Sequence, residues 1–301
     1  MLTSPRVAIL QSKPRKGAYA ENLRAAGEAF AQIVAGGGAD LVVLPEGALT
    51  GYFLEGAVYE LALPVSRIAD DLARTWREAG GARADIVSGF YENDGGTYYN
   101  SAIFVEVDAI GERIAHVHRK LFLPTYGVFD EERFLSRGRS LKTFQTRFGR
   151  AAMLICEDIW HSIVPTIAAL KDARILIVPS AAPGRGIEGT RDELTSVTHW
   201  RNILTSTAAE HGVYIVYAGL TGFEGGKGLS GSSAIVDPFG RLVVQTNMTE
   251  PCIVDGTLDM DEVDMARASM PLLGDLRSVL PDLLLDDELP LPRGRHDAHG
   301  R

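Results

Sequence analysis

Three reactive side chains each stand beside or within a short apolar run of this 301-residue chain. Glu46 follows Leu-Val-Val-Leu-Pro, Lys120 lies in His-Arg-Lys-Leu-Phe-Leu-Pro, and Cys156 follows Ala-Ala-Met-Leu-Ile. A carboxylate base, a cation and a thiol are the groups needed to attack a carbonyl carbon and to stabilise the oxyanion that forms. Together they predict thiol-dependent hydrolysis of a carbon–nitrogen bond.

Each of the three side chains has an expected part in that chemistry. Cys156 would be the nucleophile, and we expect a following helix N-terminus and the charge of Lys120 to favour its thiolate. The backbone N–H of Glu157 and the ammonium of Lys120 would donate hydrogen bonds to the oxyanion. Glu46 would take the thiol proton, pass it to the leaving amine and then activate water. Because the three residues are far apart in sequence, only the tertiary structure can bring them together.

Histidine offers two alternatives to this scheme. His161 follows Cys156 by five residues, and a Cys–His pair is a common nucleophile arrangement. In a helix, however, residues five apart do not point in the same direction, so we rank this pair below the Glu–Lys–Cys arrangement. His116 and His118 would share one face of a strand and could hold a metal. No third ligand is evident in that segment, so we expect these two histidines to be surface residues or to be satisfied by ordinary hydrogen bonds rather than to bind a metal. Cys252 has no acid–base companions in its segment and is expected to be a strand residue without a catalytic role.

The segments that must position these side chains alternate in character. Short apolar runs predict strands at residues 6–11, 40–45, 85–92, 98–107, 113–118, 150–156, 175–179, 213–218, 231–236, 242–245 and 252–258. Helical spacing predicts helices at residues 18–34, 65–78 and 163–170 and within 188–211. Residues 119–150 show no steady period and are predicted to be a long loop with one helical turn. This alternation predicts an α/β sandwich with helices outside.

The composition narrows the class of protein. A hydrophobic fraction of 46% and a charged fraction of 23% are typical of a globular chain. A net charge of −9 argues against a nucleic-acid partner. Without a leader pattern or a long apolar run, we expect a cytoplasmic protein with no membrane contact. Residues 1–285 are predicted to form one domain, and residues 286–301 a flexible tail or an arm on a partner subunit.

Three segments resemble the motifs of the nitrilase superfamily of carbon–nitrogen hydrolases. They are Leu-Pro-Glu ending at Glu46, Arg-Lys ending at Lys120, and Cys-Glu-Asp beginning at Cys156. The resemblance extends to about residue 284. It implies a four-layer αββα sandwich, a Glu–Lys–Cys triad without a cofactor, a small-molecule amide substrate, and a homodimer or larger homo-oligomer.

The resemblance also implies a second glutamate in the loop after the lysine. Glu131 is the better match, although the neighbouring Glu132 shows how easily the register could slip. Its expected role is to position Lys120 and the substrate amine.

Residues near the motifs are expected to form the substrate pocket. Tyr126, Phe129 and Pro183 are predicted pocket walls, and Glu157 a further contact. Residues of the following Gly-rich loop could read the charge of a substrate. These are Arg185, Glu188 and Arg191.

Two details of the sequence indicate which branch of the superfamily the chain resembles. Nitrilases tend to place Trp directly after the nucleophile, so Glu157 favours the amidase branch. Residues 123–131 (Leu-Pro-Thr-Tyr-Gly-Val-Phe-Asp-Glu) resemble the glutaminase domains of glutamine-dependent NAD synthetases. We do not expect an intact synthetase, because the chain ends where its second domain would begin and residues 230–233 are not that domain's pyrophosphate loop.

The expected activity is therefore hydrolysis of a small carboxamide, with release of ammonia through a thioester. Three alternatives stay open at this point. The substrate could be an N-carbamoyl amino acid or amine. The protein could be a glutaminase subunit that supplies ammonia to a separate synthetase. It could also be a catalytically silent binding or scaffold protein.

Overall fold

The computed structural model describes residues 2–186 and 194–285 of the chain. In these ranges the strands are β1 (Arg6–Gln11), β2 (Leu41–Val43), β3 (Ala84–Asp94), β4 (Thr97–Val107), β5 (Glu112–Arg119), β6 (Phe144–Thr146), β7 (Gly149–Met153), β8 (Ile175–Ser180), β9 (Tyr214–Gly219), β10 (Thr221–Glu224), β11 (Lys227–Ser230), β12 (Ala234–Val236), β13 (Leu242–Gln245) and β14 (Cys252–Thr257). The α-helices are α1 (Tyr19–Ala35), α2 (Val58–Leu61), α3 (Val65–Glu78), α4 (Ile163–Leu170), α5 (Thr195–His211), α6 (Asp261–Ser269) and α7 (Leu272–Leu283).

The strands form two mixed sheets and a separate hairpin. The first sheet has the order β14-β1-β2-β3-β4-β5, and the second has the order β13-β12-β9-β8-β7-β6. At the centre of each sheet three strands run parallel, β1-β2-β3 in the first and β7-β8-β9 in the second. Hairpin β10–β11 stands apart from both sheets.

The layers follow from the alternation of side chains along each central strand. In β1, Val7 and Ile9 point into a core that also contains Ile177 of β8, so this face lies against the second sheet. Ala8 and Leu10 point into a separate core beneath α1 and α3. Buried residues of α4 and α5 pack on the second sheet. The predicted four-layer αββα sandwich is therefore confirmed.

Several predicted elements have different limits in the structure. The strand predicted at 150–156 ends at Met153, and a short 3-10 helix begins at Cys156. Residues 119–150 contain the predicted helical turn, as a 3-10 helix at Glu131–Arg133, but also the unpredicted strand β6. The hairpin β10–β11 was missed because its sequence is rich in glycine, although Gly225-Gly226 is a typical two-residue turn.

Two further predictions concern segments that lie partly or wholly outside the described residues. The helix predicted within 188–211 begins at Thr195 in the described part of the chain, while residues 187–193 lie outside it. The predicted tail at 286–301 also lies outside the described residues, and the single-domain prediction stays a prediction. Within the described ranges, no helix has both the length and the hydropathy needed to cross a membrane.

Candidate active site

Glu46 lies just beyond the carboxyl end of β2 and is completely buried. Its Oε1 accepts hydrogen bonds from Asn100 Nδ2 at 2.7 Å and from Lys120 Nζ at 2.8 Å. Its Oε2 accepts one from the backbone N–H of Ala181 at 2.8 Å. These contacts fix both carboxylate oxygens. The closeness of β3 also constrains the residue, since a Cβ added at Gly89 would stand 2.4 Å from the Cα of Glu46.

Lys120 follows β5 directly and has no exposed side-chain surface. Its Nζ lies 2.8 Å from Oε1 of Glu46 and 2.7 Å from Oε1 of Glu131, so one ammonium connects two carboxylates. Glu131 is buried in its 3-10 turn, whereas Glu132 is exposed. The structure thus brings Glu131, and not its neighbour, to Lys120. Tyr52 donates a further hydrogen bond from its hydroxyl to Oε1 of Glu131.

The charges in this cluster act on one another. Burial by itself lowers the pKa of Lys120, but the charges of Glu131 and Glu46 raise that pKa well above its usual value. Burial raises the pKa of Glu131 and the negative charge of Glu46 adds to this, while Lys120 opposes both. The ammonium form of Lys120 is therefore strongly favoured.

Cys156 begins the 3-10 helix Cys156–Trp160 with a φ of 46°, a backbone conformation that is uncommon for a residue other than glycine. Its side chain is buried. Burial raises the pKa of the Cys156 thiol, and the charge of Glu46 raises it further, although Lys120 lowers it. Lys120 thus favours the thiolate, as expected, but burial and the charge of Glu46 outweigh it, so the thiol form is favoured in the free protein. The proton must be removed during the reaction itself.

A cavity of about 340 Å³ reaches Cys156 from the protein surface. All four residues predicted to contact substrate, which are Glu157, Tyr126, Phe129 and Pro183, line it. The hydroxyl of Tyr126 donates to the Glu157 carboxylate at 2.9 Å.

The cavity also carries a positive charge. Arg185 is part of its lining, and its guanidinium lies 5.2 Å from the ring centre of Phe129. The side chains of Trp160, His199 and Trp200 complete much of the wall. Glu188 and Arg191, the other residues predicted to read a substrate's charge, lie outside the described residues.

The histidine alternatives take other places. The ring of His161 stacks on Phe122 with centroids 3.6 Å apart. His118 pairs with Asp158 at 2.8 Å, and His116 stacks on Phe144. Within residues 2–186 and 194–285, no group of three His, Cys, Asp or Glu side chains could hold a metal ion.

Some contributors to the site were not assigned a role from sequence. Tyr52, which contacts Glu131, and Asn100, which contacts Glu46, lie outside the three motif segments singled out above. Glu224 was not foreseen: it is buried at the end of β10 and accepts hydrogen bonds from the backbone N–H groups of Tyr52 and Phe53. Because hairpin β10–β11 was not predicted, nothing in the sequence linked Glu224 to the site.

Comparison with known proteins defines the family to which this chain belongs. The family model for carbon-nitrogen hydrolases matches residues 6–268, and the chain belongs to this family. The resemblance to the nitrilase superfamily is thus confirmed. Members of this class are hydrolases that act on carbon–nitrogen bonds other than peptide bonds, and this chain is one of them.

Individual proteins resemble the chain over different lengths. A glutamine-dependent NAD(+) synthetase of Thermotoga maritima is 27% identical over 265 residues, which are 85% of this chain but 42% of that protein. A citrullinase of Francisella tularensis is 27% identical over 202 residues, 65% of this chain and 68% of that protein. A carbon-nitrogen hydrolase structure from Helicobacter pylori has a TM-score of 0.82 at 23% identity and covers 94% of this chain and 99% of that one. The chain thus spans less than half the length of the synthetase that it resembles.

Proposed function

We propose that this protein is a cysteine-dependent amidase that hydrolyses a small carboxamide to a carboxylic acid and ammonia. The observation that carries the proposal is the buried cluster in which Lys120 connects Glu46 and Glu131. Beside it, a cavity open to solvent reaches Cys156. This arrangement supplies a base, a fixed cation and a nucleophile with access for a small molecule.

In the first half of the proposed reaction, Glu46 takes the proton of the Cys156 thiol as the sulfur attacks the carboxamide carbon. The negative charge that develops on the carbonyl oxygen is stabilised by Lys120 and by the backbone N–H of Glu157. Glu46 then gives its proton to the amide nitrogen. The carbon–nitrogen bond breaks, ammonia leaves, and a thioester between Cys156 and the acyl group remains.

In the second half, Glu46 takes a proton from water while the water oxygen attacks the thioester carbon. The carbon–sulfur bond breaks, the acid departs, and the proton returns to the sulfur of Cys156. Because burial raises the pKa of this thiol, Glu46 is needed both to remove the proton in the first half of the reaction and to return it in the second.

Glu131 is assigned to the substrate amine. Its Oε1 is engaged by Lys120 and Tyr52, while its Oε2 is buried and has no hydrogen-bond partner among the described residues. A buried acceptor without a partner is costly, and an amide N–H of the substrate would satisfy it. This supports a positioning role for Glu131 beside its contact with Lys120.

The cavity favours an acyl group that carries charge. Glu157 presents a carboxylate held by Tyr126, and Arg185 presents a cation on the same lining. Opposite charges on one wall suit a substrate with both an ammonium and a carboxylate, such as an α-amino acid with a terminal carboxamide. Glutamine has this chemistry, so the chain could serve as a glutaminase that supplies ammonia to a separate synthetase.

An N-carbamoyl substrate is the second candidate, and one observation favours it. The relative from Francisella tularensis is named a citrullinase. A ureido group presents the same carbonyl carbon and terminal amine to a Glu–Lys–Cys site as a carboxamide does. The same cavity lining would then hold the remainder of the molecule.

The test is ammonia release from a panel of simple aliphatic amides, glutamine, N-carbamoyl amino acids and nitriles, with Cys156→Ala as the blank. Release from one class that is lost in the variant would support the proposal and name the substrate class. Release that persists in Cys156→Ala would contradict it. An absence of turnover together with a Cys156 that resists alkylation would favour the silent scaffold.

The expected homodimer is part of the proposal. Apolar side chains of the helices outside the second sheet are exposed, as for Ile163 of α4, Met265 of α6 and Leu272 of α7. A second copy of the chain could cover them. Sedimentation velocity at several concentrations measures this, and a monomer throughout would contradict it.

A further inference from the structure

A buried carboxylate two residues after the nucleophile has no part in the proposed reaction. Asp158 has no exposed surface, and both of its oxygens are occupied. Its Oδ2 accepts from the backbone N–H of Ile155 at 3.0 Å and lies 2.8 Å from Nε2 of His118. Its Oδ1 accepts from the backbone N–H groups of Leu121 at 2.9 Å and Phe122 at 3.1 Å.

These contacts join the segments that carry the nucleophile and the cation. Ile155 immediately precedes Cys156. The hydrogen bond from its backbone N–H to Asp158 therefore closes the turn in which Cys156 has a positive φ. Leu121 immediately follows Lys120, so the other oxygen holds the start of the Lys120 loop. One carboxylate therefore fixes where the sulfur and the ammonium lie relative to each other.

His118 completes this link from strand β5. Its side chain is almost fully buried, and both Asp158 oxygens already accept backbone N–H groups, so we assign Nε2 as the donor and Oδ2 as the acceptor of this hydrogen bond. Nδ1 has no partner among the described residues. His118 thus tethers Asp158 to the strand that ends beside Lys120.

We propose that Asp158 and His118 are positioning residues for the reaction, acting through Cys156, the Glu157 N–H and Lys120. This inference rests on the proposed roles of those three groups. A displacement of about 1 Å in a catalytic group can lower a rate roughly a hundredfold, so the loss of this link affects turnover more than substrate binding.

The experiment replaces each partner by side chains that keep or remove the needed hydrogen bond. Asp158→Asn keeps the shape of the side chain but places an amide N–H donor against backbone N–H groups that donate hydrogen bonds to Asp158. His118→Leu removes the donor, whereas in His118→Gln the amide nitrogen stands as far along the side chain as Nε2 and can still donate. We expect kcat to fall roughly 10- to 100-fold in Asp158→Asn and His118→Leu, with KM within about threefold, and to recover in His118→Gln.

Two matched controls separate positioning from folding. Asp85→Asn changes a buried carboxylate at the amino end of β3, away from the site, and His116→Leu changes a histidine two residues before His118 on β5. Melting temperatures are measured for all variants. The controls are expected to keep kcat even where their melting temperatures differ from that of wild type.

A second readout needs no substrate. In a Cys252→Ser background, the rate of Cys156 alkylation by iodoacetamide is expected to fall several-fold in Asp158→Asn and His118→Leu and to recover in His118→Gln. If Cys156 of the wild-type protein is alkylated but no panel substrate is turned over, the result counts against the proposed activity. The positioning roles of Asp158 and His118 are then tested by the alkylation rates of the variants alone. Unchanged kcat and alkylation in Asp158→Asn would overturn this inference. So would a loss in His118→Gln equal to that in His118→Leu, or an equal loss in the two controls.

Discussion

At the scale of single residues, the site depends on an ammonium shared by two buried carboxylates. An isolated buried charge is very costly, and this cost is offset when the charge is paired and hydrogen-bonded. Lys120 meets that condition through Glu46 and Glu131, and Glu131 is further held by Tyr52. The three charges sum to one negative charge in a closed space. Removing either carboxylate removes a charge that raises the pKa of Lys120.

Glu131→Gln tests this balance. The variant keeps an oxygen to accept from Lys120 and Tyr52 but removes a charge that raises the pKa of Lys120. The ammonium is then held less firmly in place for the oxyanion, so kcat is expected to fall by about 10²-fold while the protein stays folded. Steady-state ammonia release measures this.

Glu132→Gln is the matched control for that variant, since Glu132 is the exposed neighbour in the same turn. It is expected to retain wild-type kcat. Equal activity in both variants would remove Glu131 from the mechanism and leave it as a structural partner of Lys120.

At the scale of elements, the site is made beyond the carboxyl ends of three strands, of which β2 and β7 belong to the parallel parts of the two sheets and β5 is an edge strand that pairs antiparallel with β4. Glu46 follows β2, Lys120 follows β5, and Cys156 follows β7 after a short turn. Carboxyl ends of parallel strands in open α/β sheets are common ligand sites. Here the backbone of β3 must also pass very close to Glu46, which only a residue without a side chain allows at position 89.

Gly89→Ala is therefore expected to damage both stability and activity. The added Cβ would stand 2.4 Å from the Cα of Glu46 and 2.8 Å from the carbonyl oxygen of Pro45, so the backbone that carries the base must move. Overpacking of this kind costs about 1 to 3 kcal/mol of unfolding free energy or more. Urea unfolding and kcat measure the two effects.

Gly111→Ala provides the comparison, because a Cβ at Gly111 in the β4–β5 turn meets nothing within 4 Å. It is expected to keep both stability and kcat. If Gly89→Ala matched it in both properties, the close approach of β3 to Glu46 would not be a constraint on the site.

At the scale of the whole molecule, the sandwich separates a catalytic end from an opposite end with its own buried charge. Asp85 lies at the amino end of β3, paired with the first residue of β2 and 3.4 Å from the guanidinium of Arg147. Burial raises the pKa of Asp85 from 3.8 to about 6, and Arg147 opposes the shift. Ionised Asp85 is thus a source of pH-dependent instability unconnected with the active site.

The sign of this effect follows from linkage. The folded state holds the Asp85 proton more tightly than the unfolded state, so this group destabilises the fold as pH rises from about 4 through about 6. A shift of about two pKa units corresponds to about 3 kcal/mol at pH 7. In Asp85→Asn this contribution is absent, while Arg147 still donates to the backbone of Asp40 at 2.9 Å.

The measurement is the melting temperature of wild type and Asp85→Asn between pH 4 and pH 8. The stability of the variant relative to wild type is expected to increase across this range and to level off near pH 7. A difference that does not change with pH would show that Asp85 has the same proton affinity in both states.

The sequence alone determined the class of chemistry and the general architecture. Glu46, Lys120 and Cys156 could be singled out because each reactive residue type stands beside or within an apolar run, and the resemblance of three ordered motifs then implied the αββα sandwich. Period-two and helical patterns located most strands and helices, because these patterns report which face of an element is buried. The carboxylate partner of Lys120 was narrowed to Glu131 or Glu132.

Only the tertiary structure decided how these groups act on one another. Burial of Glu131 rather than Glu132 depends on how a turn packs against Tyr52. The raised pKa of Cys156 arises because burial and the charge of Glu46 outweigh the charge of Lys120, and these opposing effects cannot be weighed without the distances between the groups. The contacts of Glu224 and Asp158 likewise join residues far apart in the chain. Desolvation and hydrogen bonding depend on distances of a few ångströms in space, and local sequence patterns do not contain those distances.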